Sequence, residues 1–247
     1  SSPIYDALWL VMDDPNVHQN LLYVTMDMRY NLPTYGEWES VTWRPASTFP
    51  TQRFPASLLG TDWSTTPIEG RYIELRNLTL DRADLNAQNV EFRFSPLPPV
   101  PGTTTSLTLN NGSLTALNPP GFYADANFTL TALGDSTLSD WGKGPVSSQT
   151  TLNVTPGSTL TFFRLGQFSG GTIATDSWYF NHPGNVATID AGTLHLDQSF
   201  VTFGKSTYIP GEEPGRMTFQ NNALLDITGE GGRLDSGHFF FLNSRLN

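Results

Sequence analysis

The chain has 247 residues, with 22 glycines, 18 prolines, no cysteine and a formal charge of -10. Hydrophobic residues make up 38% and aromatics 12%, enough apolar surface for a packed core, so wholesale disorder is excluded; collagen is excluded because the glycines have no three-residue period. The missing cysteines remove disulfides, thiolate metal sites and cysteine nucleophiles, and the acidic balance argues against nucleic acid and anionic lipid as partners.

Composition changes along the chain. Four of the six tryptophans (Trp9, Trp38, Trp43, Trp63) and ten of the 18 prolines lie in the first hundred residues, whereas 19 of the 22 glycines follow them. Residues 1–70 are unlike the rest and are expected to form a β-rich cap or accessory region; only Ser2 to Met12 carries a short helix-like pattern. From 71 to 247 the expectation is a β-helix. Alternating segments such as Tyr72-Ile73-Glu74-Leu75 and Val90-Glu91-Phe92-Arg93-Phe94 read as half-buried strands. Leu80, Leu85 and Val90 fall at five-residue intervals, which a narrow coil and an ordinary strand-loop-strand explain equally. Residues 95–102 (Ser-Pro-Leu-Pro-Pro-Val-Pro-Gly) exclude helix and sheet interior, so they form either a connector between domains or a long loop within one.

Past this segment a motif recurs, in which apolar-x-apolar is followed by a polar turn with Gly or Asn and then by apolar-x-apolar again. Its copies begin at Leu107, Leu130, Leu152, Ala187 and Met217, 23, 22, 35 and 30 residues apart. Such spacing fits coils of a solenoid with insertions at some corners. Each coil exposes apolar residues that only the next coil can bury, while Thr108, Thr161, Thr188 and Thr218 point outward as hydroxyl ladders. Glycine or asparagine supplies the positive φ of the bend.

Segments such as Gly157-Ser-Thr-Leu-Thr-Phe162 and Ala191-Gly-Thr-Leu-His-Leu196 resemble the right-handed β-helical passenger regions of bacterial autotransporters and related surface adhesins. The resemblance spans roughly residues 70–247. It implies an exported, elongated, non-catalytic protein that is structural or adhesive at a cell surface, with itself or other surface components as partners. The run Phe239-Phe-Phe-Leu242 implies either a longer chain or a neighbouring subunit over that strand. No stretch of 18 apolar residues occurs, so membrane insertion by a helix is not expected.

Two other functions compete. Tyr30, Tyr35, Trp38 and Trp43, with Glu37 and Glu39 between them, are the densest aromatic cluster, suited either to stacking on glycan rings or to a small core. A polysaccharide hydrolase would need paired carboxylates, and Asp13-Asp14 and Gly237-His238 lie too far apart in the chain for its pattern; a lyase site could be assembled from Asp190, Asp197, Arg216, Asp226, Arg233 and Asp235, but solvated corner and face residues explain these better. No catalytic residue, metal ligand or cofactor is expected. His18, His182, His195 and His238 lack ligand spacing, and His195 alternates with leucines so as to face solvent. Calcium at carboxylate corners, around Asp81 and Asp84 or Glu212-Glu213, has no repeated Gly-Gly-x-Gly-x-Asp signature behind it.

Overall fold

A computed structural model describes residues 22–28, 37–45, 53–59, 72–88, 91–95, 102, 104–117, 122–124, 126–140, 145–146, 148–164, 178–204, 210–212 and 214–247. The helix-like segment at 2–12 lies outside these residues, as do Tyr30, Tyr35 and most of the proline-rich run. Every helix-or-strand element among the described residues is a strand. The first are β1 (Leu22–Met28), β2 (Glu37–Pro45), β3 (Phe54–Leu59), β4 (Tyr72–Asp81), β5 (Ala83–Gln88), β6 (Glu91–Phe94), β7 (Thr104–Asn110) and β8 (Ser113–Leu117). Next come β9 (Phe122–Ala124), β10 (Asn127–Leu133), β11 (Asp135–Asp140), β12 (Pro145–Val146), β13 (Thr150–Val154), β14 (Thr159–Arg164), β15 (Trp178–Phe180) and β16 (Val186–Asp190). The last are β17 (Thr193–Asp197), β18 (Phe200–Phe203), β19 (Arg216–Gln220), β20 (Leu224–Thr228), β21 (Arg233–Ser236), β22 (His238–Leu242) and β23 (Arg245–Leu246).

The chain visits three sheets in rotation. The first runs β1-β2-β4-β7-β10-β13-β16-β19-β22, the second β3-β5-β8-β11-β14-β17-β20-β23, and the third β12-β15-β18-β21. Strands β6 and β9 pair in turn beside the start of β4, and β9 abuts β12, so they prolong the third side toward the N-terminal rungs. Every pair is parallel except β1 on β2. The all-β class and the parallel stacking agree with the reading of the sequence. The repeat copies are the strand pairs β7–β8, β10–β11, β13–β14, β16–β17 and β19–β20, one pair per circuit.

Composition and pairing do not change together. Strands β2 and β3, which lie within residues 1–70, already pair in parallel with β4 and β5. Pro55 sits in β3 at the end of the second sheet, where a missing N–H is tolerated. Strands β6 and β7 flank the proline-rich run, and both pair in parallel with β4.

Constant register turns alternation into columns. On the first sheet, Leu78, Leu107, Leu130, Leu152, Ala187 and Met217 stack in one inward column, and Trp43, Leu80, Leu109, Ala132, Val154, Ile189 and Phe219 in a second. All are at most 1% exposed. The second sheet contributes Leu85, Leu114, Leu138, Phe162 and Leu196, and the third adds Trp178, Phe180 and Phe203, whose rings contact one another and Phe162. Each large side chain so buried contributes on the order of 1.5–3 kcal/mol, but only because the neighbouring rung covers it.

At three of the corners between the first and second sheets one left-handed residue precedes a small one. Arg82, Asn111 and Ala191 have φ of 53°, 47° and 47°, and they precede Ala83, Gly112 and Gly192. A Cβ on Gly192 would lie 2.7 Å from the Ser158 carbonyl oxygen and 2.9 Å from Val154 Cγ1, so the inside of this corner has no room for a side chain there.

Candidate functional site

The columns that make the core also arrange the surface. Between the inward columns of the first sheet runs an outward one of Thr42, Thr79, Thr108, Thr131, Asn153, Thr188 and Thr218. Beside it stand Asn77, Ser106, Thr129 and Thr151, and Ser106 Oγ donates to Asn77 Oδ1 at 2.7 Å. These two columns carry no charged side chain, while Asp81, Asp190 and Arg216 stand beside them on the same outward face. Thr161, expected to point outward like the others, does so on the second sheet, in register with Thr137 and His195.

The same columns break off at the last rung. Phe239 follows Met217 and Phe241 follows Phe219 in register, and the rings of Phe219 and Phe241 stack with centroids 4.8 Å apart at 7°. Yet Phe219 is fully buried, whereas Phe239, Phe240 and Phe241 are 38–41% exposed, Leu242 54% and Leu246 67%. Among the described residues no strand pairs with the outer edges of β21, β22 and β23. Unpaired N–H and C=O groups therefore flank exposed aromatic rings, the combination that templates association. Arg216 lies 5.5 Å from the Phe240 ring centroid on its outer side.

The aromatic cluster expected for glycan is divided. Tyr30 and Tyr35 lie outside the described residues, and Trp38 is placed on β2 by its backbone alone. Trp43 corrects the glycan reading: it is 1% exposed, in the inward column above Leu80, and a ring with no free face cannot stack on a sugar.

The acidic and basic set weighed for lyase or hydrolase chemistry is scattered. Asp190 and Arg216 are on the first sheet, Asp197 and Asp226 on the second, and Arg233 and Asp235 on the third. Arg233 Nε bonds Asp235 at 3.0 Å, and Asp190 accepts from Asn221 at 2.6 Å. His195 does face outward. Its Nε2 lies 2.9 Å from Thr228 Oγ1 and 3.8 Å from Asp226 Oδ2. A nucleophile relay needs the hydroxyl and the carboxylate on opposite ring nitrogens; here both approach the same one, and only Thr228 is within hydrogen-bond distance of it.

Carboxylates considered for calcium are held by donors. Asp81 receives Asn110 Nδ2 at 3.2 Å and Arg82 Nε at 3.3 Å; Asp84 receives the Arg53 guanidinium and Ser113 Oγ at 2.7 Å. Among the described residues no three His, Asp or Glu side chains gather into a metal-binding group. Glu213 lies outside them.

No protein-family model, curated protein or solved structure matches this chain.

Proposed function

We propose that the chain is a right-handed parallel β-helix with a β-rich N-terminal cap, serving as a non-enzymatic structural or adhesive protein outside the cell or on its surface, where it associates with itself. Right-handedness is supported by the rule that parallel crossovers within one sheet take that hand in about 98% of cases. The single observation carrying the structural reading is the stack itself, in which parallel strands of three sheets bury inward columns that are at most 1% exposed from Leu78 to Met217 and from Trp43 to Phe219. An acidic, cysteine-free, threonine-rich chain suits export, and the threonine columns of the first sheet suit contact with a polar surface component.

Static light scattering and sedimentation velocity across a wide concentration range test the reading: oligomers or filaments should grow with concentration. A monodisperse monomer at the highest concentration would sink self-association. The location is tested separately, by external protease on intact source cells; protection of the chain there would count against a surface role.

A further inference from the structure

We infer that Asn127 is an N-glycosylation acceptor, to which an oligosaccharide is transferred from a polyprenyl-pyrophosphate donor. The inference rests on the export proposed above and adds the residue, the bond formed and the class of enzyme that must meet the chain.

Asn-x-Ser/Thr sequences occur at Asn77, Asn111, Asn127 and Asn153. A chain rich in these residue types offers such tripeptides by chance, so the pattern alone selects none of them. Transfer asks for more. The acceptor amide must be open to a bulky donor, and the hydroxyl two residues on must be free to bond the transferase.

Three of the four are engaged. Asn77 is half-buried and its Oδ1 accepts from Ser106 Oγ at 2.7 Å. Asn111 is half-buried at a corner, where its Oδ1 accepts from the Asp135 N–H at 3.1 Å and its Nδ2 donates to Asn110 at 3.2 Å; the hydroxyl of Ser113 donates to Asp84. Asn153 is half-buried between Thr131 and Thr188, and the hydroxyl of Thr155 is held by the Ala132 carbonyl at 3.2 Å and Ser158 Oγ at 2.7 Å.

Asn127 differs on each count. It is exposed and opens β10, and alternation along that strand sets Thr129 on the same outward face. Phe128 between them is 1% exposed, its ring 5.0 Å from that of Phe94, so the strand is anchored while the acceptor stays outside. Thr105 Oγ1 donates to the backbone carbonyl of Asn127 at 3.3 Å, and among the described residues nothing bonds the Asn127 amide or the Thr129 hydroxyl. Its neighbour on the preceding rung, Thr104, is exposed as well. On the following rung Gln149, one residue before the partner of Phe128, turns its Nε2 away to the Gly184 carbonyl at 3.0 Å.

The sequence adds an independent mark. Asp125 stands two residues before Asn127, whereas Leu75, Leu109 and Thr151 occupy that place before Asn77, Asn111 and Asn153. Oligosaccharyltransferases of the bacterial type pair a basic side chain with an acid at this position, so charge complementarity favours the same asparagine that the fold leaves open. In the transfer, Asn127 Nδ2 bonds the anomeric carbon of the donor's first sugar. The bond from that carbon to the pyrophosphate oxygen breaks, polyprenyl pyrophosphate leaves with the electron pair, and one amide proton passes to a base of the transferase. The sugar then stands on the outward face of the first sheet, beside the threonine columns.

The test uses the full chain purified from its source. Chymotrypsin acting on the denatured chain cuts after Tyr123 and Phe128 and separates Asn127 from the other three asparagines. Mass spectrometry should find a sugar increment, with sugar fragment ions, on that peptide and none on Asn77, Asn111 or Asn153. Asn127→Gln and Thr129→Ala should each abolish the increment, Asp125→Ala should lose it and Thr129→Ser should keep it, all four with unchanged circular dichroism. A chain found outside the cell with Asn127 bare would overturn the acceptor and leave export standing. An increment on another of the four asparagines, or one that survives Thr129→Ala or Asp125→Ala, would overturn it too. A chain retained inside the cell would overturn both.

Discussion

Asn185 Oδ1 accepts a hydrogen bond of 2.7 Å from the backbone N–H of Thr150 on the preceding rung, while its Nδ2 donates to the carbonyl of Phe180 at 2.9 Å. Both Asn185 and Thr150 are fully buried. One side chain thus satisfies a donor and an acceptor that the turn from the third to the first sheet would otherwise leave bare. Asn185→Ala strands both, at about 1–3 kcal/mol each, so a loss of about 2–4 kcal/mol is expected from urea unfolding followed by far-ultraviolet circular dichroism. A loss under half a kcal/mol would show that water or a rearranged turn replaces the amide.

The corner between the first two sheets gives opposite expectations for adjacent residues. Ala191 holds φ at 47°, a conformation costing about 1–2 kcal/mol outside glycine. Ala191→Gly removes that strain and gives back part of it as unfolded-state entropy, for a net gain of about 0.5–1 kcal/mol. Gly192→Ala pushes a methyl to within 2.7 Å of a backbone oxygen and should cost about 1–3 kcal/mol, in the range of overpacked sites. Paired thermal melts of the two variants should move in opposite directions. Shifts of the same sign would contradict this description of the corner.

These corners are also where the sequence is most readable. Alternation on either side of a glycine or asparagine, as in Leu107 to Ala116 and Ala187 to Leu196, marks two strands and the bend between them within ten residues. The third sheet leaves a fainter trace because its strands are short. Pro145-Val146 has no period at all, Trp178-Tyr179-Phe180 alternates only once, and Phe200 to Phe203 is buried at every position. The unequal repeat spacing comes from links of different length: residues 165–177 separate β14 from β15 in the 35-residue repeat, and residues 204–215 separate β18 from β19 in the 30-residue one. Trp43 shows where composition misleads. Whether a tryptophan binds a ligand or fills a core depends on the side of the strand it occupies, and only the pairing of Trp43 with Leu80 decides that.

Arg53 laces the N-terminal rungs of the second sheet. Its Nε and Nη2 reach Asp84, and its Nη1 donates to the carbonyl of Asp135 at 2.8 Å. The two charged side chains remain 28% and 38% exposed, so solvent screens the pair and its contribution stays below about 1 kcal/mol. Arg53→Gln is expected to lower stability by no more than that, with most of the difference lost in high salt. A larger, salt-insensitive loss in denaturant titrations would mean that the bond to the Asp135 carbonyl outweighs the ion pair.

Trp38 and Trp43 separate a carbohydrate role from a packing role. Trp43 is enclosed by the second inward column of the first sheet, and Trp43→Ala leaves a cavity between rungs, expected to cost about 3–5 kcal/mol, as for large aromatic truncations. Its effect on any glycan affinity should vanish once the variant is compared at temperatures where it is folded. Trp38 lies on the same strand, in register with Leu75 of β4. If Tyr30, Tyr35 and Trp38 form a sugar-stacking platform, Trp38→Ala will abolish glycan-induced changes in tryptophan fluorescence with little change in melting temperature. If the chain is structural or adhesive as proposed, no neutral glycan in a panel will change the parent fluorescence, and Trp38→Ala will alter neither binding nor self-association. Specific saturable quenching by one glycan, lost in Trp38→Ala, would place a binding function on the first rungs of the stack.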